Sequence, residues 1–148
     1  MGSPSRQLDL LWEAEEDIPP DLCFEEFFDS LMDALSLDDV ELSVLVIDDD
    51  RMTELNHQYR GKQRTTDVLS FPSGSPRVPG RSHHLGDIVI SAPQARRQAE
   101  ELGQGHQVEL RFLLLHGVLH LLGHDHETDN GEMLALQSQL KQELEQFF

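Results

Sequence analysis

Cysteine is nearly missing from this chain. Cys23 stands alone, so no intrachain disulfide can brace the fold, and a reducing cytosol is the natural setting. Long apolar runs are missing too: the longest, around Phe112 to Leu122, is broken by histidines and falls short of the roughly 20 residues that cross a bilayer. No apolar segment follows Met1-Gly2-Ser3-Pro4-Ser5-Arg6, which speaks against a secretory signal there; those residues read as a frayed end or a cloning remnant. Positive charge is scarce, with 11 lysines and arginines against 28 acidic residues and a net charge of −17. That balance disfavours broad contact with nucleic acid. What remains is the expectation of a soluble, cytoplasmic protein, residues 1–148 forming one domain around one core.

The little positive charge there is lies together. Between Arg51 and Arg97 stand eight basic residues and three acidic ones, a local +5, whereas the rest of the chain holds 3 and 25, or −22. A basic middle inside an acidic shell can steer a polyanion to one patch and repel it elsewhere. Ordinary solvated loop arginines would leave the same pattern.

Periodicity predicts alternating strands and helices. Gln7 to Trp12 alternates weakly and reads as a short strand, followed by an acidic connector ending in Pro19-Pro20. Asp21 is placed to cap a helix from about Leu22 to Leu35 with a wide apolar face. Glu41 to Ile47 is a strand apolar enough to be buried on both faces. The triplet Asp48-Asp49-Asp50 suits the N-terminus of a helix reaching about Gln58. A basic loop, Tyr59 to Thr66, feeds a strand over Asp67 to Pro72. Ser73 to His84 reads as an exposed loop rich in glycine, proline and serine. Leu85 to Ser91 is the next strand, and Pro93 opens a helix to about Leu102. A long helix covers about Gln107 to Leu122, apolar almost all round and therefore central. Asp129 and Glu132 are spaced as a capping pair for a last helix, about Asn130 to Phe147. The fold class is α/β of the α+β type: a small mixed sheet of about four strands packed with helices.

One stretch concentrates the chemistry: His116-Gly117-Val118-Leu119-His120-Leu121-Leu122-Gly123-His124-Asp125-His126. His116 and His120, four apart, project from one face of the long helix. Gly123 can take positive φ and stop that helix, so the chain can fold back and return a third imidazole. Three neutral nitrogens with an open fourth position describe a catalytic zinc site rather than a closed structural one. Imidazole donors favour zinc over magnesium or calcium, with nickel and cobalt as further candidates. Either His124 or His126 can be the third ligand; His126 is favoured because more chain is available for the return. Asp125 either orients a ligand imidazole or sits in solvent. His57, His83, His84 and His106 read as surface residues. Zinc peptidases with the His-Glu-x-x-His pattern use the glutamate as general base, but this chain has Gly117 at that position. A metallopeptidase with a metzincin-like central zinc helix therefore lacks its base.

The same stretch resembles the signature of the YbeY family of bacterial ribosomal RNA maturation factors, His-Gly-x-Leu-His-Leu-x-Gly-Tyr-Asp-His, with His124 where the family usually has tyrosine. Two more blocks are similar to that family in order and spacing: Tyr59-Arg60-Gly61-Lys62 with Thr66-Asp67-Val68-Leu69-Ser70-Phe71-Pro72, and Leu85-Gly86-Asp87-Ile88. Together they span about residues 40–145. The resemblance implies a single-strand-specific, zinc-dependent endoribonuclease acting in small-subunit ribosomal RNA 3′-end maturation and ribosome quality control. It implies metal ligands at His116, His120 and His126 and a functional arginine at Arg60, the four residues expected to carry catalysis. The implied partners are single-stranded and ribosomal RNA, the small ribosomal subunit, the GTPase Era and ribosomal protein S11. The competing expectations are the metallopeptidase above and a non-enzymatic assembly factor with structural zinc.

Overall fold

The computed structural model describes residues 6–148, so the N-terminal stretch read as a frayed end lies, apart from Arg6, outside the described residues. Arg6 itself is anchored. Its guanidinium, 7% exposed, meets Asp29, Asp33 and Asp38 at 2.7–2.9 Å and donates to the carbonyl of Leu37. Strand β1 (Arg6–Trp12) therefore begins with a clamp onto the next helix rather than a loose end.

The chain continues through α1 (Phe24–Ala34), β2 (Val40–Ile47), α2 (Asp49–Arg60), β3 (Val68–Pro72), β4 (His83–Ser91), α3 (Ala92–Leu102), α4 (His106–Leu121) and α5 (Glu132–Glu143), with a 3-10 turn at Glu145–Phe147. The four strands form one mixed sheet in the order β1-β2-β4-β3. β1, β2 and β4 are parallel, and β3 runs antiparallel along β4. This is the mixed α/β architecture that the alternating pattern predicts.

Several expectations are corrected. Helix α1 starts at Phe24 after a left-handed Cys23, without a side-chain cap. Arg111, from α4, takes over that end by donating to the carbonyls of Asp21 and Leu22 and to that of Phe147. Strand β2 is not equally buried on both faces. Val40, Leu42, Val44 and Val46 enter the main core, while Glu41, Ser43 and Leu45 are only half-buried. The reason is that α2 covers one end of the second face alone, placing Met52 with Ile47, Leu69 and Val89. The exposed loop stops before His83, which already pairs with Val40 in the sheet, so His83 and His84 are strand residues. Finally, α5 begins at Glu132 and stops at Glu143. Asp129 does cap it, accepting from the N–H groups of Gly131 and Met133 at 2.8 and 2.9 Å, but no reciprocal bond from Glu132 accompanies it.

The main core lies on the other face of the sheet. Phe27, Phe28, Leu31 and Met32 of α1 meet Leu110, Leu114, Leu115 and Val118 of α4 there, with Met133 and Leu140 from α5. Helix α4 comes unusually close to β4. A Cβ placed on Gly117 would lie 2.9–3.2 Å from three carbons of Ile88, and Ile88 is fully buried. The hydroxyl of Ser70 on β3 donates to the Gly117 carbonyl at 3.3 Å.

Asp49, at the start of α2, secures the approach to β3. Its carboxylate accepts from Ser91, Thr65 and Arg97 at 2.7–3.0 Å. Burial pushes its pKa up, but these three donors outweigh that and hold it below the ordinary carboxylate value. Folding is therefore stabilised above the unfolded pKa of about 3.9, and that contribution is lost as pH falls through the depressed folded value.

Two outcomes follow from this packing. Gly117→Ala should destabilise the fold by about 1–3 kcal/mol, the range for overpacking a full core, measured by urea unfolding. Asp49→Asn should cost about 1–3 kcal/mol at pH 7 and flatten the acid limb of the stability profile. Unchanged acid sensitivity in that variant would refute the role of Asp49.

Candidate metal centre

A helix-stop motif brings the imidazoles together. Helix α4 ends with Gly123 at φ 98°. The N–H of Gly123 bonds the carbonyl of His120, and the N–H of His124 reaches back to that of Leu119, both at 3.0 Å. This pairing closes a helix on a left-handed glycine and satisfies its last carbonyls. Asp125 then builds the next turn. Its side chain accepts from the N–H of Glu127 at 3.0 Å, and its carbonyl accepts from Thr128 and Asp129. Asp125 contacts no imidazole in this arrangement; it is an exposed turn-former, the solvent-side reading of the two. The turn returns His126 over the end of α4.

The result is a cluster of three rings. His116 and His120 have centroids 4.7 Å apart, and His126 stands 5.6 and 5.8 Å from them. One nitrogen from each comes within 4.8 Å of the others, a group able to hold a metal ion. The Nε2 atoms of His116 and His120 face each other at 3.1 Å. His124 borders the same cavity but stands outside the three-nitrogen group. Burial, reinforced by the neighbouring imidazoles of His116 and His126, presses the pKa of His120 below its ordinary value. A neutral ring with a free lone pair is the form that ligates metal, so the donor set fits a borderline divalent ion. On the outer side, Nδ1 of His116 lies 2.9 Å from Oε1 of Gln137 on α5. Nothing in the sequence pointed to Gln137, which stands 21 residues further along and meets His116 only through the packing of α5.

The cluster opens onto a cavity of about 710 Å³ that Arg60 and the segment Thr66 to Ser70 also line. Arg60 is the last residue of α2. A cation there also complements the negative end of the helix dipole. It makes no ion pair or side-chain hydrogen bond among the described residues. Its neighbours in the basic segment divide into two groups. Arg51, Arg96 and Arg97 are paired with Glu13, Glu16 and Asp49 respectively, and Arg77 donates to the carbonyl of Asp38. The basic middle is thus no continuous patch, because half of it serves the fold; of its eight members Arg60 alone borders the cavity.

Position 117 explains why a peptidase base is missing. Gly117 is on the sheet side of α4, against Ile88, and a glutamate there would enter the core instead of the cavity. His106, read as a surface residue, is instead half-buried, with Nε2 3.1 Å from the carbonyl of Ala92. His57 is exposed, and His84 reaches Asp87 at 3.7 Å.

A profile described as Endoribonuclease YbeY matches residues 15–145. The chain belongs to the YbeY family. Three relatives named Endoribonuclease YbeY support the assignment. That of Persephonella marina is 42% identical over 127 residues, covering 84% of this chain and 83% of the relative. That of Nautilia profundicola is 48% identical, covering 73% and 75%, and that of Aquifex aeolicus 47% identical, covering 73% and 71%. In three dimensions the YbeY chain is similar to a Thermotoga maritima protein of known solution structure, with a TM-score of 0.57 and 30% identity over 90% of this chain and 84% of that one.

The geometry separates the two candidates for the third ligand. Purified protein should bind one divalent ion, with affinity falling as pH drops and protons compete for the imidazole nitrogens. His126→Ala should weaken binding by tenfold or more, on the order expected for losing one of three donors, whereas His124→Ala should leave it near wild type. Competition against a chromophoric chelator measures both, and the reverse ranking would reassign the ligand.

Proposed function

We propose that this protein is a zinc-dependent endoribonuclease that cuts single-stranded RNA. We place its action in 3′-end maturation of small-subunit ribosomal RNA and in ribosome quality control. The observation that carries the reading is that one cavity is lined both by the three-imidazole group and by Arg60, a guanidinium without an ion pair among the described residues. A phosphodiester is the substrate that such a pair suits, since its negative charge can meet both at once. When bound, the ion supplies Lewis acidity towards a phosphoryl oxygen and an acidified water. Arg60 binds the phosphate through its planar fork and offsets the charge that builds on it. His116, His120 and His126 hold the ion. Val68, Leu69 and Pro72 add apolar lining to the same cavity, which suits unstacked bases rather than a closed duplex.

The acidic remainder of the chain favours the cavity over the rest of the surface as the place where RNA docks. The exposure of His126 and the space in front of it favour an open, catalytic site over a closed structural one. No helix among the described residues is long and apolar enough to cross a membrane. We also propose a cytoplasmic setting, from the lone cysteine, one domain across residues 1–148, from the length, and the small subunit, Era and ribosomal protein S11 as partners, from the family resemblance.

The test compares wild type with two variants on single-stranded RNA, with casein as the control for a peptidase. Arg60→Ala should lose cleavage by about 10²-fold or more, the scale for removing one charge-stabilising donor, and keep its metal. His120→Ala should lose both metal and cleavage. Full cleavage by Arg60→Ala would remove its role, and cleavage of casein but not RNA would overturn the nuclease reading.

A further inference from the structure

We propose that Gln137 is the positioning residue of the metal centre, fixing which nitrogen of His116 is presented to the ion; the inference rests on the metal reading above. Gln137 comes from α5, is 8% exposed, and places Oε1 2.9 Å from Nδ1 of His116. The other nitrogen of that ring, Nε2, faces Nε2 of His120 at 3.1 Å, inside the group able to hold the ion. For Nε2 to offer a lone pair, the ring must carry its proton on Nδ1. An amide oxygen can accept that proton, and so the contact selects the metal-binding tautomer while holding the plane of the ring.

Two features make the contact more than core packing. Among the described residues, His116 is the one member of the three with an outer hydrogen-bond partner, so the orientation of the cluster depends on this bond. The choice of residue also has a chemical consequence. A neutral amide accepts the proton without adding negative charge, leaving the ion with three neutral ligands and its full dipositive charge. A glutamate would raise the basicity of the ring and bind the ion more tightly, at the cost of its pull on an anionic substrate.

Helix α5 is well placed to do this. Its residues Met133 and Leu140 are buried in the main core, and Asp129 caps its start. The loop that carries His126 thus runs between the end of α4 and a helix tied back onto α4 through Gln137. One hydrogen bond spans the two ends of the metal-binding loop.

The experiment uses the full chain, wild type against Gln137→Met and Gln137→Glu. Methionine keeps the length and apolar contacts but cannot accept the proton; glutamate restores the acceptor. Each protein, stripped of metal, is titrated with zinc and cobalt against a chromophoric chelator. The Nδ1–H resonance of His116 is followed by ¹⁵N-edited NMR, and urea unfolding reports on the fold. Gln137→Met should bind 10–100-fold more weakly, the scale for losing such an outer partner, and should lose the slowed exchange of that proton. Gln137→Glu should bind as tightly as wild type or more so. A folded Gln137→Met with affinity within twofold of wild type overturns the inference. If that variant does not fold, Gln137→Glu decides: weaker binding than wild type overturns it. Wild-type protein that takes up neither ion would overturn the metal reading and this inference together, which keeps the two failures distinct.

Discussion

The close seating of α4 on β4 is the contact on which the site depends. With only a hydrogen on Gly117, the helix comes down until its backbone meets the side chain of Ile88, and the hydroxyl of Ser70 ties the same carbonyl to β3. That contact sets how the helix is rotated about its own axis. Since side chains one turn apart share a face, fixing Gly117 towards the sheet turns both His116 and His120 towards the cavity. It also holds β3, which lines the same cavity, against the helix through Ser70. A larger residue at 117 would lift the helix and disturb rotation and distance together.

Electrostatics follows from what the packing uses up. The chain carries few cations, and several of them are committed to ion pairs. Arg97 and Asp49 join α3 to the start of α2, Arg96 and Glu16 join α3 to the connector after β1, and Arg6 gathers three aspartates. Arg60, by contrast, borders the cavity without an ion pair among the described residues. An unpaired guanidinium lining the same cavity as three imidazoles is a stronger signal of anion chemistry than the count of basic residues in the segment. An acidic exterior sharpens the contrast by repelling polyanions elsewhere.

Much of the fold was legible because hydrophobic period is a local property. The strands and helices all appear where the alternation and the three-to-four spacing place them, and Gly123 stops α4 as its position suggests. The errors share a different origin. Strand β2 looked buried on both sides because its residues are apolar, but how much of its second face is covered depends on the short reach of α2. Asp21 looked like a cap, yet Arg111 from a distant helix holds that end. The pair His83-His84 looked like part of a loop because its neighbours are polar, and its pairing with β2 cannot be inferred from composition.

The amino-acid sequence alone determined where the histidines gather. Four histidines and a glycine at helical spacing specify a helix, a stop and a return, and all of these are set within eleven consecutive residues by backbone sterics and side-chain direction. Gly117 in place of a glutamate was equally plain, and it turned the reading from peptides towards another bond. Only the tertiary structure decided which histidine joins the cluster, which cation shares its cavity, and which residue stands behind it. His126 rather than His124 enters because the turn built by Asp125 directs it there. Arg60 and Gln137 lie on helices that reach the cavity and the cluster only through tertiary packing. Contacts between distant segments depend on how layers pack, and no local pattern records that.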